Sequence, residues 1–435
     1  MTNLSYLTNL TRAAAVALVL AGLTTGVLGK DVPSAKPERE GMSSERLERV
    51  TALAERYVTG KRVPGMVTMV ARNGKVLHFE ATGQRGLNDP APLTKDALFR
   101  IYSMSKPITA VALMMLYEEG KFQLSDPVHK YIPELKNLVV YNPEGEPIPA
   151  KTAVTMHQLL THTAGFSYGF NPRDPVDQQY QAAKIFEAKD LTEFATRVAA
   201  LPLQFEPGTR WHYSVASDLV GLAVERISGI TLDAYFKTRI FEPLGMEDTF
   251  FNVPADKRDR FLPNHGWNPE TNAMVDVTAR TDANGNYVSG TLFSGGGGLV
   301  SSTMDYMRFA EMLRNGGSYN GVRLLSPKTI EYMTLNHLPA AIAASGSGES
   351  PTLGALGSRG VGFGLGFSVV TDPAAAGTIS SMGEYAWGGA AGTIFWIDPD
   401  EEIITIAMIQ LMASPWPLRA DMKTTTYQAI TELAQ

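Results

Sequence analysis

The chain has 435 residues, 44% of them hydrophobic and 19% charged, with a formal net charge of -6, a profile that fits a globular protein with ample material for a core. The acidic balance, without any long run of like charges, excludes the clustered Lys and Arg footprint of a nucleic-acid binder. Because the chain has no cysteine, a disulfide framework, a cysteine nucleophile and a thiolate zinc site are excluded together.

At the N-terminus, Arg12 precedes an apolar run over 13–23 and a small-residue stretch over 24–29. A basic residue, a short apolar segment and small residues at a cleavage point form the pattern of a secretory signal. The run is shorter than the ~20 residues that a bilayer span needs. The expectation is a signal peptide over 1–29, cleaved after Gly29, and an exported protein (periplasmic or secreted) with no stable membrane anchor.

Over 43–57, Leu47, Val50, Leu53 and Ala54 fall on one face behind Ser43 or Ser44, which predicts a capped amphipathic helix. Two β-rich runs, 66–71 and 76–81, flank an Asn73-Gly74 pair and predict a hairpin. A polar loop over 87–95 leads to the strand-like Phe99-Arg100-Ile101-Tyr102. A long apolar helix is then expected over 103–119, ending at Gly120. Between 136 and 290 the pattern is of helices broken by loops, at 156–161, 191–201, 217–228 and 232–239. Strands return at 364–370, 392–397 and 403–409, with a last helix over 418–434. The Gly/Ser-rich stretch 343–360 reads as a surface loop. Strands at both ends with helices between predict an α+β fold, one sheet built from both ends of the chain. The expected division is 30–135 with 291–435 as one discontinuous α/β domain, 136–290 as a mostly helical inserted domain, and the active site between them.

The first candidate for chemistry is Ser103-Met104-Ser105-Lys106. Serine needs a base to take its proton. At i and i+3 on a helix, Ser103 and Lys106 share a face, and a lysine buried beside the nucleophile would lose its charge preference through desolvation. N–H groups at a helix start could also hold an oxyanion. Ser-x-x-Lys alone is a weak signal, since an exposed helix start would match it, but the wholly apolar helix behind it indicates a buried setting. Ser105, on another face, is expected to support the site.

Two other patterns compete with this one. Gly165-Phe166-Ser167-Tyr168-Gly169 matches G-x-S-x-G, but a nucleophile elbow needs a strand before the serine and a helix after it; here a short helix precedes and a loop follows. His157 and His162 are five apart, without the glutamate of H-E-x-x-H, so they read as loop and packing histidines. His212 is assigned no role, and Asp126-Pro127 reads as a structural helix start or turn.

The stretches FRIYSMSKPITA, LLTHTAGF, FEPGTRWHYSVASDLVG, FEPLGMEDTFF, SGGGGLVSS and YAWGGAAGTIFWIDP, taken in order over 41–435, resemble the serine β-lactamase superfamily. The resemblance is to its branch of class C β-lactamases, DD-peptidases and family VIII carboxylesterases. It implies a β-lactamase/transpeptidase-like fold, an antiparallel sheet flanked by helices, with Ser103 as nucleophile. The family's Y-x-N falls on Tyr213-Ser214-Val215, so Tyr213 would share proton transfer with Lys106, and which of the two is the base stays open. The family's K-T-G or H-x-G falls on Trp387-Gly388-Gly389. The N–H of Ala390 would complete an oxyanion hole with that of Ser103, and Trp387, Gly388, Gly389 and Val215 would line the substrate pocket.

Trp387 and Gly388 lack the charge and hydroxyl that anchor a carboxylate in β-lactam and peptide hydrolases, and Val215 lacks an amide. The resemblance therefore implies a carboxylesterase acting on small, short-acyl esters, with no cofactor and no metal. A β-lactamase, a DD-peptidase or an acyltransferase using the same acyl-enzyme is the alternative, and a non-catalytic binding module of the same fold is the remaining one. Oligomeric state is not specified by any feature of the sequence.

Overall fold

The computed structural model describes residues 31–344 and 359–434. The expected signal over 1–29 and most of the loop over 343–360 lie outside the described residues.

An eight-stranded antiparallel sheet organises the fold. Its strands are β1 (Gly65–Arg72), β2 (Lys75–Gly86), β3 (Asp89–Pro92), β4 (Val361–Phe363), β5 (Ser368–Val370), β6 (Tyr385–Gly388), β7 (Ile394–Asp398) and β8 (Ile403–Met408). Across the sheet the order is β4-β5-β6-β7-β8-β1-β2-β3, so the strands from the two ends of the chain meet at β8 and β1, with Met69 opposite Ile406. The β1–β2 hairpin turns at Asn73 and Gly74, both with positive φ, the conformation that a two-residue Asn-Gly turn requires. The expected loop after it contains β3, which pairs back on β2.

Both faces of the sheet are covered, and the strand sequences follow from this. In β1, Met66 and Val70 face one core, while Val67, Met69 and Ala71 face the other, so the run over 66–71 is apolar except for Thr68, whose hydroxyl pairs with His78 Nε2. On the first face lie α1 (Ser44–Thr59) and the C-terminal helix Leu418–Tyr427, which bring Leu47, Val50, Leu53, Leu418 and Met422. Ser43 caps α1, its side chain accepting from the Arg46 N–H. On the second face lie α2 (Ser105–Glu118) and the helix Thr303–Arg314, with Ile108, Val111, Tyr306 and Phe309 in the larger core. Helices Met156–Leu160, Leu191–Ala199 and Ala216–Ser228 pack beyond α2 in that same core.

Three expected elements differ. The run 364–370 is not one strand: the Gly364 N–H bonds the Phe367 carbonyl, a tight turn between β4 and β5. The last helix ends at Tyr427 rather than near 434, because Ile430 bridges back to Met42 and Thr431 donates to the Gly41 carbonyl. The serine of Ser-x-x-Lys does not open the α-helix. It lies in a 3-10 turn, Tyr102–Met104, ahead of α2.

A short pairing outside the main sheet sets the start of α2. Leu98–Arg100 pairs antiparallel with Val300–Ser302, Arg100 opposite Val300, and the Ile101 N–H bonds the Leu299 carbonyl. The chain leaving this ladder towards Ser103 therefore runs beside the glycine-rich segment that enters it from 294–298. Ser105, fully buried, accepts from the Leu299 N–H at 3.2 Å, which locks the two together.

Candidate active site

Tyr102, just before the first candidate serine, has a φ of 42°. For a non-glycine residue this left-handed geometry costs about 1–3 kcal/mol and persists only where the surroundings impose it. They do so here: Asn264 Nδ2 donates to the Tyr102 hydroxyl at 2.9 Å, and the Met104 N–H closes the turn on the Ile101 carbonyl. The result is a partly exposed Ser103 ahead of a helix buried on all sides, with Lys106 only 2% exposed.

Around Ser103 three side chains converge. The Tyr213 hydroxyl donates to Ser103 Oγ at 2.7 Å. Lys106 Nζ lies 3.2 Å from the same oxygen, 2.8 Å from the Tyr168 hydroxyl and 2.6 Å from the Gly296 carbonyl oxygen. The amine also sits over the Tyr213 ring, 4.7 Å from its centroid. Burial pulls the Lys106 ammonium down to about 7, and the carboxylate of Asp218 resists that fall. Burial pushes the phenols of Tyr213 and Tyr168 well above their ordinary value. A neutral amine can place two N–H bonds on Gly296 and Tyr168 and aim its lone pair at Ser103.

The strand β6 forms the opposite wall. The Trp387 ring packs 5.6 Å from that of Tyr213 and 5.3 Å from that of Phe363, and Trp387 is 4% exposed. A Cβ on Gly389 would lie 2.4 Å from the Ile101 carbonyl oxygen and 2.2 Å from Thr393 Oγ1, so only glycine lets this strand end close on the turn that carries Ser103. Gly388 and Gly389 are partly exposed and Ala390 is exposed. Outside the helices and strands, the N–H groups of Ser103 and Ala390 donate to no backbone carbonyl among the described residues. The outer rim is aromatic. Phe170, 66% exposed, stacks on Tyr168 at 4.7 Å, and Phe186 lies 6.2 Å on a nearly parallel plane.

Val215 departs from its expected place in the substrate pocket. It is fully buried at the cap of the helix Ala216–Ser228, so it presents no surface to a substrate. Its apolar side chain is spent on the core.

The competing motif resolves differently. Ser167 is 1% exposed; its hydroxyl donates to the buried Asp177 carboxylate and lies 3.3 Å from His212 Nε2. His162 is buried against Ser214 Oγ at 3.2 Å and held neutral by desolvation. His157 pairs with His337 at 3.1 Å.

Two residues at the centre escaped the motifs. Tyr168 is the variable position of the G-x-S-x-G pattern, next to the serine that drew attention. Asp218 lies on the apolar side of a helix among Val215, Ala216, Leu219 and Leu222, all buried. A lone acid on an apolar helix face was the available signal.

Comparison with known proteins identifies the setting. The Beta-lactamase family model matches residues 50–425. Protein Rv1367c of Mycobacterium tuberculosis is 36% identical over 354 residues, covering 80% of this chain and 85% of the relative. Esterase EstB of Burkholderia gladioli is 31% identical over 368 residues, covering 80% and 86%. Among solved structures, EstCE1, titled a hydrolase with promiscuous acyltransferase activity, superposes with a TM-score of 0.72 at 24% identity, covering 88% of this chain and 99% of that one. The chain belongs to the β-lactamase family, and its α+β fold is that of the family.

Proposed function

We propose that this member of the β-lactamase family is a serine carboxylesterase that hydrolyses small, short-acyl esters through an acyl-enzyme on Ser103. The observation that carries the reading is the position of Ser103 Oγ between the Tyr213 hydroxyl, 2.7 Å away, and Lys106 Nζ, 3.2 Å away, with the lysine in a site that favours its neutral form. The similarity to Esterase EstB supports an ester as substrate.

In this reading the Lys106 lone pair takes the Ser103 proton as Oγ attacks the ester carbonyl. Tyr213 is too weak an acid to serve as a phenolate at neutral pH, so it acts as a neutral relay that delivers a proton to the leaving alkoxide. The N–H groups of Ser103 and Ala390 hold the developing oxyanion. Water then enters, with Lys106 as base again, and releases the acid. The walls of Trp387, Tyr168 and Phe170 favour an apolar substrate, and Trp387 and Gly388 bring neither the charge nor the hydroxyl of the family's third motif. No step calls for a metal or a cofactor.

The test joins a fluorophosphonate probe with a series of p-nitrophenyl esters from acetate to decanoate. Stoichiometric labelling of Ser103 with kcat/KM highest for the short acyl chains is expected. Labelling at another residue, or none with an intact fold, overturns the proposal, and the added-alcohol arm of the same assay reads any acyl transfer. Export is proposed with it: the mass of the protein recovered from the producing cell should place the mature N-terminus at Lys30, and an intact Met1 overturns that part.

A further inference from the structure

Asp218 is 1% exposed and is not accounted for by the hydrolytic steps above. Its Oδ1 accepts from Ser294 Oγ at 2.5 Å and from the Gly296 N–H at 3.1 Å. Its Oδ2 has no hydrogen-bond partner among the described residues. A Cβ on Gly296 would stand 2.5 Å from that Oδ2 and 2.9 Å from the Tyr168 hydroxyl, so carboxylate and phenol flank the same peptide. The carbonyl of Gly296 is the one that receives Lys106 Nζ. A buried carboxylate with one bare oxygen is costly, and among the described residues no cation bonds it directly. The nearby charge that offsets it is Lys106.

We propose that Asp218 is a positioning residue with two separable tasks: its Oδ1 fixes residues 294–296 so that the Gly296 carbonyl meets Lys106, and its charge stabilises the ammonium formed when Lys106 accepts the serine proton. The inference rests on the Ser103–Lys106 reading above. The proton balance is closed: the Ser103 O–H bond breaks, an N–H bond forms on Nζ, Asp218, whose carboxyl burial raises and Lys106 holds down, neither gains nor loses a proton in the step, and the proton leaves through Tyr213 to the alkoxide.

The groups facing Asp218 are Lys106 from α2, Tyr168 from the loop after residue 165, and Tyr213 just ahead of its own helix; it acts on all three. His162, which also senses Lys106, is held neutral by burial. Asp218 is the carboxylate that holds the Lys106 ammonium up against desolvation. Removing its charge must therefore move the lysine further down.

Asp218→Asn keeps an oxygen for Ser294 and Gly296 and deletes only the charge, whereas Asp218→Ala deletes both. The readout is the pH profile of kcat/KM for p-nitrophenyl butyrate and of the fluorophosphonate labelling rate. With Asp218→Asn the acidic limb is expected to move down by about one pH unit and the plateau to fall, since the lysine is then a weaker base. With Asp218→Ala a loss on the order of 10²-fold is expected, from a misplaced Gly296. An Asp218→Asn limb that coincides with the parent's overturns the electrostatic task even if the rate drops. An Asp218→Ala rate equal to that of Asp218→Asn overturns the tethering task. A Lys106→Ala enzyme with parental rate would sink the underlying reading instead, and it is assayed alongside so that the two failures are told apart.

Discussion

Ser103 and Ser167 each hold two side-chain partners able to exchange protons, and the contrast between them lies in order and access rather than in residue types. Ser103 receives a bond from Tyr213 and faces a lysine that burial has brought to about 7, on a partly open turn. Ser167 has an aspartate and a histidine close by, the ingredients of a triad, but its hydroxyl is committed to the Asp177 carboxylate itself. A triad needs the acid on the far side of the histidine. Asp177 also accepts from Gln204 Nε2 at 2.9 Å and from the Asn171 N–H at 2.7 Å, so the cluster pins the 165–177 loop. The difference teaches that a nucleophile is recognised by who takes its proton and whether a substrate can reach it.

The sharpest way to break this comparison is to delete each hydroxyl. Ser103→Ala should lower kcat for p-nitrophenyl butyrate by on the order of 10⁴-fold or more. Ser167→Ala should keep activity within about tenfold while losing about 1–3 kcal/mol of stability, because Asp177 then loses a buried partner. Denaturant unfolding and steady-state kinetics on both variants measure this. An inactive but stable Ser167→Ala with an active Ser103→Ala would reverse the assignment.

Next in size are the partners. Lys106→Ala and Tyr213→Phe should each reduce kcat by about 10²-fold or more, the scale of lost general acid–base help. Neither His162 nor His212 contacts Ser103 in the structure, so no histidine is available to take over. A Lys106→Ala enzyme with near-parental kcat at neutral pH would remove the distinction between the two serines.

How much of this was legible in the sequence differs by region. The helix over 44–59 declares itself because its apolar period matches one buried face, the hairpin over 65–86 because two β-rich runs flank a turn pair, and the punctuation of each, Ser43 and Asn73-Gly74, has a local mechanism. Ser103, Lys106 and Tyr213, which the structure brings together, were legible because Ser-x-x-Lys and Tyr213 sit in recognisable strings. Tyr168 and Asp218 were not, since their importance comes from residues far away in the chain: Lys106 for one, Ser294 and Gly296 for the other. The break at 364–367 was hidden for the same reason. An apolar glycine-containing run reads as one strand until the packing against α2 decides where it must turn. Val215 shows the opposite error, where position in a motif suggested substrate contact and burial removed it.

A smaller effect sharpens the picture of Lys106. With the amine at about 7 in the folded protein, it is protonated and unable to accept the serine proton below that pH, and free above it. The kcat/KM profile should therefore rise by about tenfold per pH unit on its acidic side, with a midpoint near 7, and stay level to mildly alkaline pH. A midpoint near 4 to 5 would assign the limb to a carboxylate and detach Lys106 from base catalysis.

The smallest expected effect concerns the wall that Trp387 forms. Short p-nitrophenyl esters should be turned over far better than nitrocefin, because a β-lactam carboxylate entering this pocket would lose water without gaining a partner. Trp387→Lys restores a cation but should change the nitrocefin-to-ester ratio of kcat/KM by less than about tenfold. Gly388 still lacks a hydroxyl, and recognition built from several polar groups in contact is not additive in any one of them. The surroundings oppose the change too. The Trp387 ring is packed against Tyr213 and Phe363, so the new ammonium would be desolvated, and Lys106, 4.7 Å from the centroid of the Tyr213 ring, is a competing cation when it takes up the serine proton. Parent and variant are compared on p-nitrophenyl butyrate and nitrocefin. Nitrocefin turnover by the parent that equals or exceeds ester turnover would mean that the aromatic wall does not select against carboxylates, and the chain would then be a β-lactamase in activity as well as in family.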